Sequence, residues 1–407
     1  MKKTILHFLL FCLLFSCQKS PEKNINFEGN WHGYLDLGED HLPFWFSLEK
    51  SGDNWTAYLK NDSENLAVPD VEIKEDSIHI IMNAFDSEVH AKMMEDGSIQ
   101  GKYQRNYQKN YHSGFVAERN IDTRFPVSEP PKTDFSGKWE FEFIRSDSST
   151  YQALGIFEQN GNKITGTFLT NVGDYRFLEG NVSGDTFYLS AFDGGHAFFF
   201  TGKANNYGKV TGRFRSGPIY FQTFEATRNE SFELPENDHL TQLKDGYETL
   251  DFSFPNANGE IVSLSDSTFK DKIVLVQLFG TWCANCMDET NFLAPWYLEN
   301  KSKGIEVVAL AFESKPDFEY ASGRLKKHAE RFRVPYPQLI AGVSKKEEAA
   351  KSLPALKEVI AFPTLIYLDK NHKVRKIHTG FSGPGTGDYY AQWIESHKIL
   401  IDKLLSE

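Results

Sequence analysis

The chain has 407 residues, 40% of them hydrophobic, with 34 Phe and 17 Tyr. That is too long for one small domain and suits two or three cores, at least one of them β-rich. A net charge of −12 argues against a nucleic-acid partner, because neutralising phosphates needs a basic face.

Residues 1–16 have the pattern of an export signal. "MKK" is a positive start, and "ILHFLLFCLLF" is an apolar run shorter than the ~20 residues that span a bilayer. The run ends in "LFSC", Leu14 to Cys17. This resembles the bacterial lipoprotein signal, which implies cleavage before Cys17, lipidation of Cys17 and a tether over residues 17–26. Each buried acyl CH₂ adds ~0.8 kcal/mol of membrane binding, so several chains anchor firmly. An ordinary secretory signal with an incidental cysteine is the alternative.

An internal repeat follows. "FEGNW" (Phe27 to Trp31) returns as "FSGKW" (Phe135 to Trp139), "EDSIHI" as "GDTFYL", "IQGKY" as "VTGRF" and "AERN" as "ATRN". All four return in order, about 110 residues later, a register that chance rarely keeps. Stretches such as "KITGTFL" and "DTFYLSAF", set between turn signals such as "GNK" and "SGD", predict antiparallel β. Residues 27–120 and 135–229 are therefore expected to be two all-β repeat units, barrels or sandwiches. A Pro-rich linker, 121–134, joins them, and a second linker covers 230–245. "GGHAFFF" (Gly194 to Phe200) is expected to be core, with His196 satisfied internally.

The pattern changes over 246–407. "KIVLVQLF" (Lys272 to Phe279) and "GIEVVALAF" (Gly304 to Phe312) are continuous apolar runs, as in strands covered on both faces. A helix follows the cysteines. Ser314 and Pro316 open another, running to about Phe332. "TLIYLD" and "HKVRKIH" predict a hairpin around Asn371. "GFSGPGTG" (Gly380 to Gly387) is a turn rather than a phosphate loop. Asp388 to Leu405 closes as an amphipathic helix. Alternation of strands and helices predicts an α/β layer fold.

Of four cysteines, Cys12 leaves with the signal and Cys17 is lipidated, so Cys283 and Cys286 remain. A bridge across two intervening residues closes almost no loop and stabilises little. A closed zinc site needs four ligands, and no histidine is near in sequence. Redox chemistry is favoured over half a metal site or two silent thiols. Cys283 falls at a helix N-terminus, where the dipole and unpaired amides lower a thiol pKa by about one unit. It is the natural nucleophile, and Cys286, one turn further, can resolve a mixed disulfide.

From about Leu250 the chain resembles the thioredoxin-like TlpA/ResA group of extracytoplasmic thiol-disulfide oxidoreductases. The matching pieces are "FSFPNANGEIVSLSD", "LFGTWCANCMDE", "VVALAF" and "AFPTLIYLDKNHKV". The resemblance implies that Pro363 is a cis-proline beside the disulfide, with Phe362 offering its backbone to a substrate strand. It implies that Glu289 exchanges a proton with Cys286, and that Trp282 and Thr364 flank the substrate. No metal or cofactor is implied beyond the redox-active Cys283–Cys286 disulfide. Oxidised exported proteins are the implied substrates, in the reducing direction, with an upstream membrane thiol reductant as partner and the cell envelope, periplasm-facing, as location. Two departures stand out: Ala284–Asn285 between the cysteines, and Asn291, both where relatives often have proline. Two other functions stay open. One is a thiol peroxidase of the same fold, although its Pro-x-x-x-Thr-x-x-Cys motif is replaced by "QLFGTWC". The other is a ligand- or partner-binding lipoprotein in which the β repeats do the work.

Overall fold

The computed structural model describes residues 25–235 and 239–407. The expected signal peptide and the lipidation of Cys17 lie outside the described residues. No described helix is long and apolar enough to cross a membrane.

The first repeat is a closed barrel of eight antiparallel strands. They are β1 (Gly29–Asp36), β2 (His41–Ser51), β3 (Asn54–Asn61), β4 (Glu64–Lys74), β5 (Ser77–Met82), β6 (Ser87–Met93), β7 (Ile99–Arg105) and β8 (His112–Glu118). Closure comes from β8 pairing with β1, Phe115 opposite Leu35. The second repeat runs through β9 (Gly137–Ile144), β10 (Thr150–Asn160), β11 (Lys163–Thr170), β12 (Gly173–Asp174), β13 (Leu178–Ser183), β14 (Thr186–Phe192), β15 (Ala197–Ala204), β16 (Val210–Ser216) and β17 (Tyr220–Arg228). It closes in the same way, β17 on β9 and β10 on β11, with two-residue β12 hanging on β11. Both all-β units are thus barrels rather than sandwiches.

The repeated sequence anchors do the same physical task twice. Trp31 and Trp139 are buried, and each indole N–H donates to the carbonyl four residues earlier, Phe27 and Phe135, at 2.8 Å. The arginine of each closing anchor covers that ring: Arg119 lies 4.0 Å from the Trp31 centroid and Arg228 lies 5.0 Å from that of Trp139. A buried polar tip is satisfied and a cation is held on its face. Phenylalanines fill the second barrel, with Phe168 edge-on to Phe141 and Phe200 stacked on Phe214.

The two barrels are packed together. Phe192 and Phe199 of the second belong to the core of the first, with Phe192 4.5 Å from Phe44 between ring centroids. The Pro-rich connection joins in. Arg124 is 2% exposed and donates to Ser190 Oγ and Asn61 Oδ1, while Phe125 is buried beside it.

The C-terminal domain begins with a hairpin, β18 (Ser253–Pro255) and β19 (Ile261–Ser263). Its main sheet has the order β22 (Gln338–Val343), β21 (Ile305–Glu313), β20 (Ile273–Phe279), β23 (Thr364–Leu368), β24 (Val374–Thr379). The first three strands are parallel and the last two antiparallel. Every residue of β20, β21 and β23 is buried, which is why these strands read as unbroken apolar runs. Helices α1 (Ala284–Asn300) and α4 (Asp388–Ser406) cover one face; α3 (Lys346–Ser352) and the β18–β19 region cover the other. Helix α2 (Phe318–Phe332) starts later than expected. Asp317, not Ser314 or Pro316, caps it by accepting the Tyr320 amide at 2.6 Å from an extended backbone. A carboxylate at that position satisfies an orphan donor and opposes the helix dipole. The predicted turn at Gly380 to Gly387 contains only a short 3₁₀ segment, Pro384–Thr386.

Candidate active site

Strand β20 ends against a tight connection that presents the cysteines. Gly280 is needed there, since a Cβ would sit 2.3 Å from the Trp282 indole nitrogen. Thr281 is held at both its amide and its hydroxyl by the Glu313 carboxylate, each at 2.9 Å. Burial raises the Glu313 pKa, and these bonds and Arg324 oppose the rise. The Trp282 N–H donates to Phe312 O at 2.9 Å.

Cys283 is the N-cap of α1 and is disulfide-bonded to Cys286. Its sulfur accepts the Cys286 amide at 3.2 Å. Cys286 is fully buried and Cys283 is 6% exposed, so only Cys283 can be approached from outside. The geometry places the more accessible sulfur at the positive end of a helix, as nucleophilic attack requires.

The Phe362–Pro363 bond is cis, and Phe362 O lies 3.5 Å from Cys283 Sγ. Phe362 makes no backbone–backbone hydrogen bond among the described residues. Its ring stands edge-on to Trp282, centroids 5.9 Å apart. Thr364 is buried and donates to Ala361 O at 2.9 Å, so its side chain supports the proline turn rather than facing a substrate. Glu289 is fully buried one helical turn beyond Cys286. Burial pushes its pKa up to about 8, and the Gln277 amide, donating at 2.9 Å, holds back part of the rise. Its other oxygen, Oε1, has no partner. A carboxyl poised near neutrality and short of a hydrogen bond is suited to proton exchange. The structure therefore gathers Trp282, Cys283, Cys286, Glu289, Phe362 and Pro363 at one place.

The sequence did not signal that the second barrel reaches this site. Gly173, at φ +143°, lies where a Cβ would be 2.5 Å from the Asn285 side-chain nitrogen. Asn285 donates to Asp174 O at 3.3 Å and to Phe381 O at 3.2 Å. Asp174 accepts the Gly383 amide at 2.6 Å, and burial pushes its pKa up to about 6. Arg176 donates to Ala284 O at 3.0 Å and pairs with both Asp288 and Glu64. This buried guanidinium ties the first barrel, the second barrel and α1 together. The Ala284–Asn285 dipeptide is the surface on which the barrel docks. Nothing in "GDYRF" marks these roles; its glycine and aspartate look like ordinary turn residues.

Removing one partner of a buried ion pair costs about 3–5 kcal/mol. Arg176→Ala is expected at the low end, about 3 kcal/mol, because burial already raises the Asp288 pKa and protonation relieves part of the cost. Urea unfolding of the oxidised protein checks this, and an unchanged midpoint contradicts it.

Elsewhere, His79, Glu88 and His90 on the first barrel place three metal-ligand-type atoms within 4.8 Å of one another. Glu88 is already shared between the two imidazoles, at 2.9 and 3.3 Å.

Residues 246–377 match the AhpC/TSA family. The chain is 29% identical over 138 residues to the thioredoxin-like protein YneN of Bacillus subtilis, covering 34% of this chain and 73% of that one. It is 28% identical over 133 residues to the thiol-disulfide oxidoreductase ResA of Bacillus thuringiensis, covering 33% and 68%. Among solved structures, a thiol-disulfide oxidoreductase from Bacteroides fragilis aligns at 21% identity and TM-score 0.28, over 36% of this chain and 99% of that one. With the parallel-then-antiparallel sheet, the cysteines capping α1 and the cis-proline beside them, the C-terminal region is a thioredoxin-like domain that matches the AhpC/TSA family over residues 246–377 and follows two β-barrels.

Proposed function

We propose that this protein is a thiol-disulfide oxidoreductase of the cell envelope, held at the membrane through a lipidated Cys17, that reduces disulfides of exported proteins. The observation that carries the reading is Cys283 at the N-terminus of α1, beside cis-Pro363, with the Glu289 carboxyl buried one helical turn beyond Cys286. In the dithiol form the Cys283 thiolate attacks one sulfur of a substrate disulfide. A Cys283–substrate disulfide forms, and the other substrate sulfur leaves as a thiolate. Glu289 takes the proton of Cys286, whose thiolate attacks Cys283 Sγ. The Cys283–Cys286 disulfide forms and the second substrate sulfur departs. Two electrons pass from the protein's dithiol to the substrate disulfide, and a membrane thiol reductant restores the dithiol.

Prereduced protein is expected to reduce a disulfide-bonded protein stoichiometrically in one turnover, and Cys283→Ser to abolish this. Thiol titration of the substrate reads the result. Failure of the wild-type protein on every protein and small disulfide refutes the reading, and rapid peroxide turnover instead favours the peroxidase.

A further inference from the structure

The approach to Cys283 is built from two domains. Trp282, Cys283 and Phe362 form one wall of a cleft of about 570 Å³, and the second barrel forms the other, through Tyr175, Phe198 and Tyr220. A second cavity of about 450 Å³ shares those three barrel residues and reaches Arg105 and Tyr111 of the first barrel. Together they make one aromatic path that starts at the nucleophilic sulfur and crosses the second barrel to the first.

The rim is unusual for a solvated turn. Ile219, Tyr220 and Phe221, in succession at the β16–β17 connection, are 65%, 45% and 43% exposed. Adjacent exposed apolar side chains mark a contact surface more than a loop. The cations along the path lie flat on aromatic rings, Arg105 at 4.0 Å from the Tyr111 centroid and Arg145 at 4.5 Å from that of Tyr151. The one cleft carboxylate, Asp174, is taken by the Gly383 and Arg176 amides. Arg145 and Arg105 bring positive charge to the path, while the Asp174 carboxylate is engaged within the protein. Phe362, which makes no backbone–backbone hydrogen bond among the described residues, offers strand-like hydrogen bonds at the reactive end.

We infer that the second barrel is the substrate-selecting wall of this site, receiving an extended, unfolded cysteine-bearing polypeptide segment with aromatic or apolar residues, and no cations, beside its cysteine. The inference rests on disulfide exchange at Cys283. A residue 6% exposed behind this barrel wall is reached more readily by a single extended chain entering the cleft than by a folded face.

The test uses prereduced protein in single turnover, followed through Trp282 fluorescence. The probes are two disulfide-bonded peptides that differ only in Phe or Lys beside the cysteine, with 2-hydroxyethyl disulfide as the small reference. The Phe peptide is expected to react about tenfold faster than the Lys peptide at subsaturating concentration, the scale of one good anchoring contact. Tyr220→Ala should remove most of that preference by raising the half-saturating concentration rather than lowering the limiting rate. Tyr207→Ala, at a 95% exposed residue outside the cleft, should keep it. Equal rates for the two wild-type reactions, a comparison that needs no variant, overturn the inference alone, as does an undiminished preference in Tyr220→Ala. No reaction of the wild-type protein with any of the three probes fails the exchange at Cys283 itself, and the inference with it.

Discussion

Replacing Cys286 by serine is expected to leave the substrate covalently joined to Cys283 and to reduce multiple turnover to background. Cys286 is fully buried against the sheet, while Cys283 lines the cleft. The first attack therefore needs only Cys283, and the second needs only Cys286. Serine preserves the shape of α1 but is a far weaker nucleophile than a thiolate. The mixed disulfide then has no internal route to resolution. A stoichiometric adduct should appear on a non-reducing gel, dissolve on adding dithiothreitol, and be absent when Cys283 is also replaced. Adducts through residue 286 in a Cys283→Ser variant, or none through Cys283, would contradict the order of attack.

Glu289→Gln is expected to change both the pH dependence of stability and the resolving step. Burial raises the carboxyl from its ordinary range to about 8 in the folded protein. The folded state thus favours the protonated form. Its stabilising contribution is complete below the unfolded pKa near 4.3 and is lost as pH rises through about 8. The loss is on the order of 5 kcal/mol. Gln cannot ionise, so the difference in unfolding free energy between variant and wild type should grow between about pH 5 and pH 9. Measuring it on the disulfide form removes thiol titration from the comparison. In the dithiol form the same substitution should slow resolution by about 10²-fold, the lower range for a lost general base. It should also erase the rate inflection near pH 8. Parallel stability curves for the two proteins would show that Glu289 does not titrate in this range.

Much of the C-terminal domain was legible because its chemistry and its pattern coincide. β20 and β21 are unbroken apolar runs, and the cysteines stand where a strand turns into a helix. Several elements were not singled out, β22 and α3 among them. β22, "QLIAGV", is short and interrupted by glycine, and α3, "KEEAAKS", is seven residues with only Ala349 buried, too short to show a period. The repeats announced themselves through Trp31, Trp139 and the paired arginines, which close each barrel. Their service to the active site was invisible. Arg176 lies more than a hundred residues from Glu64 and Asp288 in sequence, and only the docking of the domains brings a turn of one barrel against the helix of the cysteines. Local pattern encodes which face of an element is apolar; it does not encode which distant polar group that element will meet.

The most direct measurement is the reduction potential of the Cys283–Cys286 pair, titrated in redox buffers with Trp282 fluorescence as the reporter. One reversible two-electron transition is expected near or below about −270 mV, the region of thioredoxin. A value near about −120 mV, that of a strong disulfide-forming oxidant, or no reversible transition at all, would contradict it.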